Sequence, residues 1–137
     1  MNKHEAIRFI SQMYTDIVVN FDFDKLPDYF HNDYYQVTDG KKINIEEFKK
    51  HLTTLKATVD KIIVSPFYDA LYDEELQTLT LRYTVDVTKK SGTRGLIELI
   101  AIFEIKNGKI VRCNELSHAL HNVKEFKELA SISSPVV

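Results

Sequence analysis

Apolar side chains recur every three or four positions at the start of the chain. Ala6, Ile7, Ile10, Met13, Tyr14, Ile17 and Val18 fall on one stripe, and that spacing predicts an amphipathic helix over residues 3–19, ended by Asn20 and Asp22. A short second helix is predicted over 24–30, with Asp24 as its N-cap and Pro27 in the first turn, where an amide hydrogen is not needed. A third begins at Asn44-Ile45-Glu46-Glu47, the reciprocal pattern of a capping box, with Ile43 and Phe48 placed as a hydrophobic staple. Ile45, Phe48, Leu52 and Leu55 share its inner face.

From about residue 59 to 118 the period changes to two. Leu79, Leu81, Tyr83, Val85 and Val87 alternate with Thr78, Thr80, Arg82, Thr84 and Asp86, as in a strand with one buried face. Lys90-Ser91-Gly92 turns the chain into a strand over 94–105. Asn107-Gly108 supplies the positive φ angles of a two-residue hairpin loop, and a last strand follows over 110–118. The stretch 59–72 is also strand-like, and Pro66 marks a bulge or an edge in it. Asn122-Val123-Lys124-Glu125 caps a short C-terminal helix, and residues 131–137 read as a loose tail. Helices first and a strand meander afterwards predict a single α+β domain over residues 1–137, with the helices on one face of an antiparallel sheet.

A two-residue loop at Asn107-Gly108 sets Lys106 opposite Lys109, and in an unbroken register Ile100 opposite Glu115, Ile102 opposite Cys113 and Glu98 opposite Ser117. Glu98, Ile102, Cys113 and Glu115 then share one face, while Leu99, Phe103, Arg112 and Leu116 share the other. A bulge would exchange the faces beyond it. Both faces mix apolar with polar groups, whereas a sheet wet on one side alternates cleanly. The helices cover one side, so the other is expected to meet a second copy in a homodimer.

Composition narrows the function classes. The chain is 44% hydrophobic and 28% charged, with seven tyrosines and eight phenylalanines, which suits a packed core and not disorder. A net charge of −2 gives no broad electrostatic reason to bind nucleic acid or an anionic membrane. Cys113 is the single cysteine, so the fold needs no oxidising compartment and a cytoplasmic location is expected. His118 and His121 lie on a strand end, short of the four converging ligands of a zinc site, and no metal is expected.

Four segments carry a family resemblance: Phe30-His31-Asn32-Asp33-Tyr34-Tyr35-Gln36; Asp39-Gly40-Lys41-Lys42-Ile43 followed by Glu46-Glu47-Phe48; Glu98-Leu99-Ile100-Ala101-Ile102-Phe103-Glu104-Ile105; and Asn107-Gly108-Lys109-Ile110-Val111 continued to Glu115. With the order of elements they resemble the nuclear transport factor 2-like superfamily, in its SnoaL-like, polyketide cyclase-like branch, over a core of about 3–120. The resemblance implies a cone: a curved antiparallel sheet wrapped around three N-terminal helices, open at its wide end, often dimeric through the sheet. In the cyclase-type members an acid on the last strand takes a proton next to a carbonyl, usually at the end of a His-Trp-Asp-like triplet. Here the triplet is Cys113-Asn114-Glu115, and Val37 stands where the family often has a pocket histidine.

The expected function is therefore a pocket that binds a small apolar or aromatic organic molecule, with lyase or isomerase chemistry next to a carbonyl and no cofactor. Glu115 is the candidate base, Tyr14 or Tyr35 the donor to the ligand oxygen, and Glu98 a second carboxylate tuning the site. His51 and Tyr83 are further ligand-binding candidates. Each also has a plainer reading: Tyr14 and Tyr83 as core, His51 as a satisfied edge histidine, and the two glutamates as partners of Arg82 or Arg112. The alternative function is a non-catalytic homodimeric interaction module whose cone is filled by side chains.

Overall fold

A computed structural model describes residues 1–132 of the chain, so most of the expected tail, residues 133–137, lies outside the described residues. Helix α1 (Lys3–Met13) starts at a capping box of its own. The Asn2 side chain accepts from the Glu5 amide, and Glu5 Oε1 accepts from the Asn2 amide, both at 2.9 Å. The predicted helix over 3–19 does not keep α geometry. Tyr14–Val19 is a wider π turn, in which the Asn20 amide reaches back to the Thr15 carbonyl at 3.0 Å. The extra width lets Tyr14, Asp16 and Ile17 all face inward. Buried Asp16 accepts from the Tyr29 hydroxyl, which holds its carboxyl below the usual range, and from Gln12 Nε2 at 3.1 Å.

The predicted second helix is a 3₁₀ turn (Phe23–Lys25) running into α2 (Leu26–Tyr29), with Pro27 in its first turn as expected. Asp24 is not its N-cap. It lies within the 3₁₀ turn, and neither element has a side-chain cap. Helix α3 (Ile45–Thr58) begins as predicted: Asn44 Oδ1 accepts from the Glu47 amide at 2.9 Å, Glu47 Oε1 from the Asn44 amide at 3.1 Å, and Ile43 and Phe48 are buried beside them.

Among the described residues seven strands form one sheet: β1 (Phe30–Thr38), β2 (Lys41–Asn44), β3 (Val59–Val64), β4 (Asp69–Asp73), β5 (Thr78–Lys89), β6 (Arg94–Lys106) and β7 (Lys109–Ala119). The order is β2-β1-β7-β6-β5-β3, and β4 shares the outer edge of β5 with β3. Ser65-Pro66-Phe67-Tyr68 separates the two, which is the interruption Pro66 predicts. The sheet is mixed and not wholly antiparallel. The last strand enters between β6 and β1, and its direction, antiparallel to β6, is parallel to β1. The Asp39-Gly40 turn, with φ of 51° and 83°, makes a hairpin of β1 and β2, where the sequence pattern showed only a turn into α3.

Helix α4 (Val123–Phe126) and a 3₁₀ turn (Leu129–Ser131) close the described chain. Asn122 does not cap α4 with its side chain. It is left-handed, at φ 54°, and its Nδ2 donates to the Arg94 carbonyl at 2.6 Å. Phe126 lies on Gly95 of β6, where any Cβ would come within 2.5 Å of the ring.

Candidate functional site

A β-bulge in the closing hairpin decides where the acid points. Lys106 pairs with Lys109 and Ile105 with Ile110, as the two-residue loop requires, but Glu104 then pairs with Arg112, leaving Val111 as the extra residue. Every later pair shifts by one: Cys113 stands opposite Phe103, Glu115 opposite Ala101, and Leu116 opposite Ile100. The uninterrupted register is thus corrected. Cys113 and Glu115 join the inner face with Leu99, Ala101 and Phe103, while Glu98 stays on the outer face. There Glu98 Oε1 accepts from Arg82 Nη2 at 2.7 Å and Nε at 3.1 Å, the cross-strand pair of its plainer reading.

The parallel pairing of β1 with β7 sets Thr38 beside Glu115 and Gln36 beside Cys113. Thr38 Oγ1 donates to Glu115 Oε1 at 2.8 Å, Gln36 Nε2 donates to Thr38 Oγ1 at 3.1 Å, and the Tyr34 hydroxyl donates to Gln36 Oε1 at 2.7 Å. These β1 residues were missed in the sequence reading. Their signal was period two: Tyr34, Gln36 and Thr38 alternate with Tyr35 and Val37. The inward tyrosine is Tyr34. Tyr35 faces the other way, half-buried, with Lys42 Nζ 4.8 Å from its ring centre, and it does not line the cavity.

A cavity of about 110 Å³ is lined from β1, β3, β5, β6, β7 and α3 at once, which a flat sheet could not do. Its walls are largely Phe, Leu, Ile and Val, with Tyr14, Tyr34, Gln36, His51, Tyr83, Cys113 and Glu115 as polar members. Tyr14, from the π turn, and Tyr83, from β5, meet hydroxyl to hydroxyl, edge to face with ring centres 5.1 Å apart. One of the pair donates to the other, so one O–H proton is left to offer elsewhere. His51 Nδ1 donates to the Ile132 carbonyl. The structure therefore brings Tyr14, His51, Tyr83 and Glu115 together, and places Tyr35 and Glu98 outside.

Burial drives the titratable lining toward neutral forms. Desolvation raises Glu115 to about 7, opposed by the Thr38 hydrogen bond and reinforced by Asp39. It also pushes the Tyr14, Tyr34 and Tyr83 hydroxyls and the Cys113 thiol well up, and lowers His51. A carboxyl balanced near neutrality can both take and return a proton. No group of three or more His, Cys, Asp or Glu side chains among the described residues could hold a metal ion. No helix among them is long and apolar enough to cross a membrane.

No family model matches the chain. An uncharacterized protein of Schizosaccharomyces pombe is 23% identical over 126 residues, covering 92% of this chain and 93% of that one. AclR of Streptomyces galilaeus, assigned as a hydroxylase, superposes with a TM-score of 0.75 at 13% identity, over 97% of this chain and 89% of that one. A Mycobacterium tuberculosis LEH-like epoxide hydrolase superposes with a TM-score of 0.69 at 18% identity, over 85% and 84%. A protein of Acidithiobacillus ferrooxidans assigned as a polyketide cyclase superposes with a TM-score of 0.71 at 9% identity, over 98% and 100%. The helices, the mixed sheet and the short C-terminal helix make this a nuclear transport factor 2-like fold.

Proposed function

We propose that the chain binds a compact, uncharged organic molecule in this cavity and moves a proton on it next to a carbonyl, as an isomerase or lyase that needs no cofactor. The observation that carries the reading is Glu115: a carboxyl at about 7, inside an apolar cavity, with a tyrosine hydroxyl pair lining the same space. Its carboxylate takes the proton from the carbon beside the carbonyl. The C–H electron pair becomes a C=C bond, and the charge passes to the carbonyl oxygen, which accepts the free O–H of the Tyr14–Tyr83 pair. Glu115 then returns the proton to another carbon, or a leaving group departs from the next carbon. Side chains leave a cavity of about 110 Å³, below the roughly 300–1,000 Å³ of drug-sized sites, so the ligand this reading calls for is small. No lysine or arginine is among its lining residues, so an anion would meet Glu115 without a countercharge.

The same reading includes a cytoplasmic homodimer that pairs through the outer sheet face. There Ile100 and Leu116 stand opposite each other, 46% and 65% exposed. The chemistry is tested by incubating the full chain with a panel of small cyclic and aromatic ketones in deuterium oxide and following loss of the α-proton signals by NMR. The expected result is exchange that Glu115→Gln slows by about 10²-fold or more. Exchange at the same rate in Glu115→Gln would remove the carboxylate from the reaction.

A further inference from the structure

The polar residues of β1 form a chain with a direction. Tyr34, Gln36 and Thr38 stand at alternate positions, so all three point to the side of the sheet that carries Glu115. The Tyr34 hydroxyl occupies the amide oxygen of Gln36 at 2.7 Å, and the amide nitrogen of Gln36 turns to Thr38 Oγ1 at 3.1 Å. Having accepted from Gln36, the Thr38 hydroxyl has its single proton for Glu115 Oε1, at 2.8 Å. Every donor faces the carboxylate, and the run ends on one of its two oxygens. The other, Oε2, has the Cys113 thiol 3.9 Å away, a weak donor.

We propose that Tyr34, Gln36 and Thr38 are positioning residues that anchor Oε1 of Glu115 and leave Oε2 as the atom that takes and gives the proton. An anchored carboxyl does not swing, so Oε2 meets each ligand at the same place, and protonation leaves the Thr38 bond intact because Oε1 then accepts as a carbonyl oxygen. The gain in turnover rests on the proposed function, but the anchoring does not. The ionisable groups around Glu115 are Asp39 in the turn after β1, Cys113 on β7, Tyr14 of the π turn and Tyr83 of β5, with Tyr34 on β1 and His51 on α3 lining the same cavity. Asp39 is the one other carboxylate among them, and it is exposed at the strand end.

The test is a titration of the full chain with ¹³C-labelled glutamate, read by NMR and by the infrared carbonyl stretch, with Glu115→Gln assigning the signal. Thr38→Val is expected to raise the pKa of Glu115 by about one unit and to move the protonated carbonyl stretch to higher frequency. Thr38→Ser is expected to restore both, Gln36→Leu to give a smaller rise, and Tyr34→Phe a smaller one still. A folded Thr38→Val protein with both signals unmoved overturns the proposal. Should Thr38→Val not fold, an unmoved titration in Gln36→Leu overturns it instead. No ligand is needed, so a failed ketone exchange assay counts against the proposed function alone.

Discussion

Glu115 ties stability to pH in an unusual sense. Its folded pKa of about 7 lies above the ordinary 4.5 of a glutamate, so ionisation is harder in the folded chain than in the unfolded one. The folded state is favoured below about 4.5, and stability is lost as pH rises from there through 7. Glu115→Gln removes that loss. In urea titrations the variant is expected to exceed the parent by about 2–3 kcal/mol at pH 9, and to show no such advantage near pH 4. An acid on the last strand could be found from sequence, because the Asn107-Gly108 turn fixes where that strand starts. Tyr34 against Tyr35 could not be settled, since neighbouring tyrosines on a strand differ only in which side faces the core. Glu98 and Glu115 looked alike for the same reason: their partners, Arg82 and Thr38, come from other strands whose registers are not local.

The elements most clearly written in the chain are those with local chemistry. Asn44 with Glu47 starts α3, and Asn107-Gly108 joins β6 to β7, because each motif satisfies its own backbone within four residues. The Val111 bulge is of another kind. Ile110 and Cys113 are both buried although three apart, a break in alternation that makes sense only with one residue left unpaired. The π turn after α1 is similar: a 3.6-residue stripe through Ile17 predicts a continuous helix, and inward-facing Asp16 finds its partner in Tyr29, from α2. The C-terminal segment depends on a contact still more remote in sequence. Phe126 rests on Gly95, Lys89 Nζ lies 4.8 Å from the Phe126 ring centre and 3.2 Å from Glu125 Oε1, and Leu129 and Ala130 line the cavity. Gly95→Ala is expected to cost about 1–3 kcal/mol by overpacking. Amide hydrogen exchange should then speed up first in residues 123–132, before any change in β5 or β6.

The arrangement of helices and strands was readable because their order and the closing hairpin were. The parallel β1–β7 pair was not, since nothing in either strand marks its neighbour. With its outer face carrying Ile100 and Leu116, the protein is expected to sediment as a dimer at micromolar concentration, and Leu116→Glu as a monomer with its unfolding midpoint little changed. The break at Ser65-Pro66-Phe67-Tyr68 bears on a different kind of self-association. One rim of the sheet ends in β2, four residues long with Lys41 and Lys42 exposed, and the other in β3 and β4, six and five residues long on either side of the proline. A foreign strand reaching that second rim meets a short strand edge, then a gap. Fibrils grow by endless edge-to-edge addition of strands, and a template cut into pieces this small denies them a start.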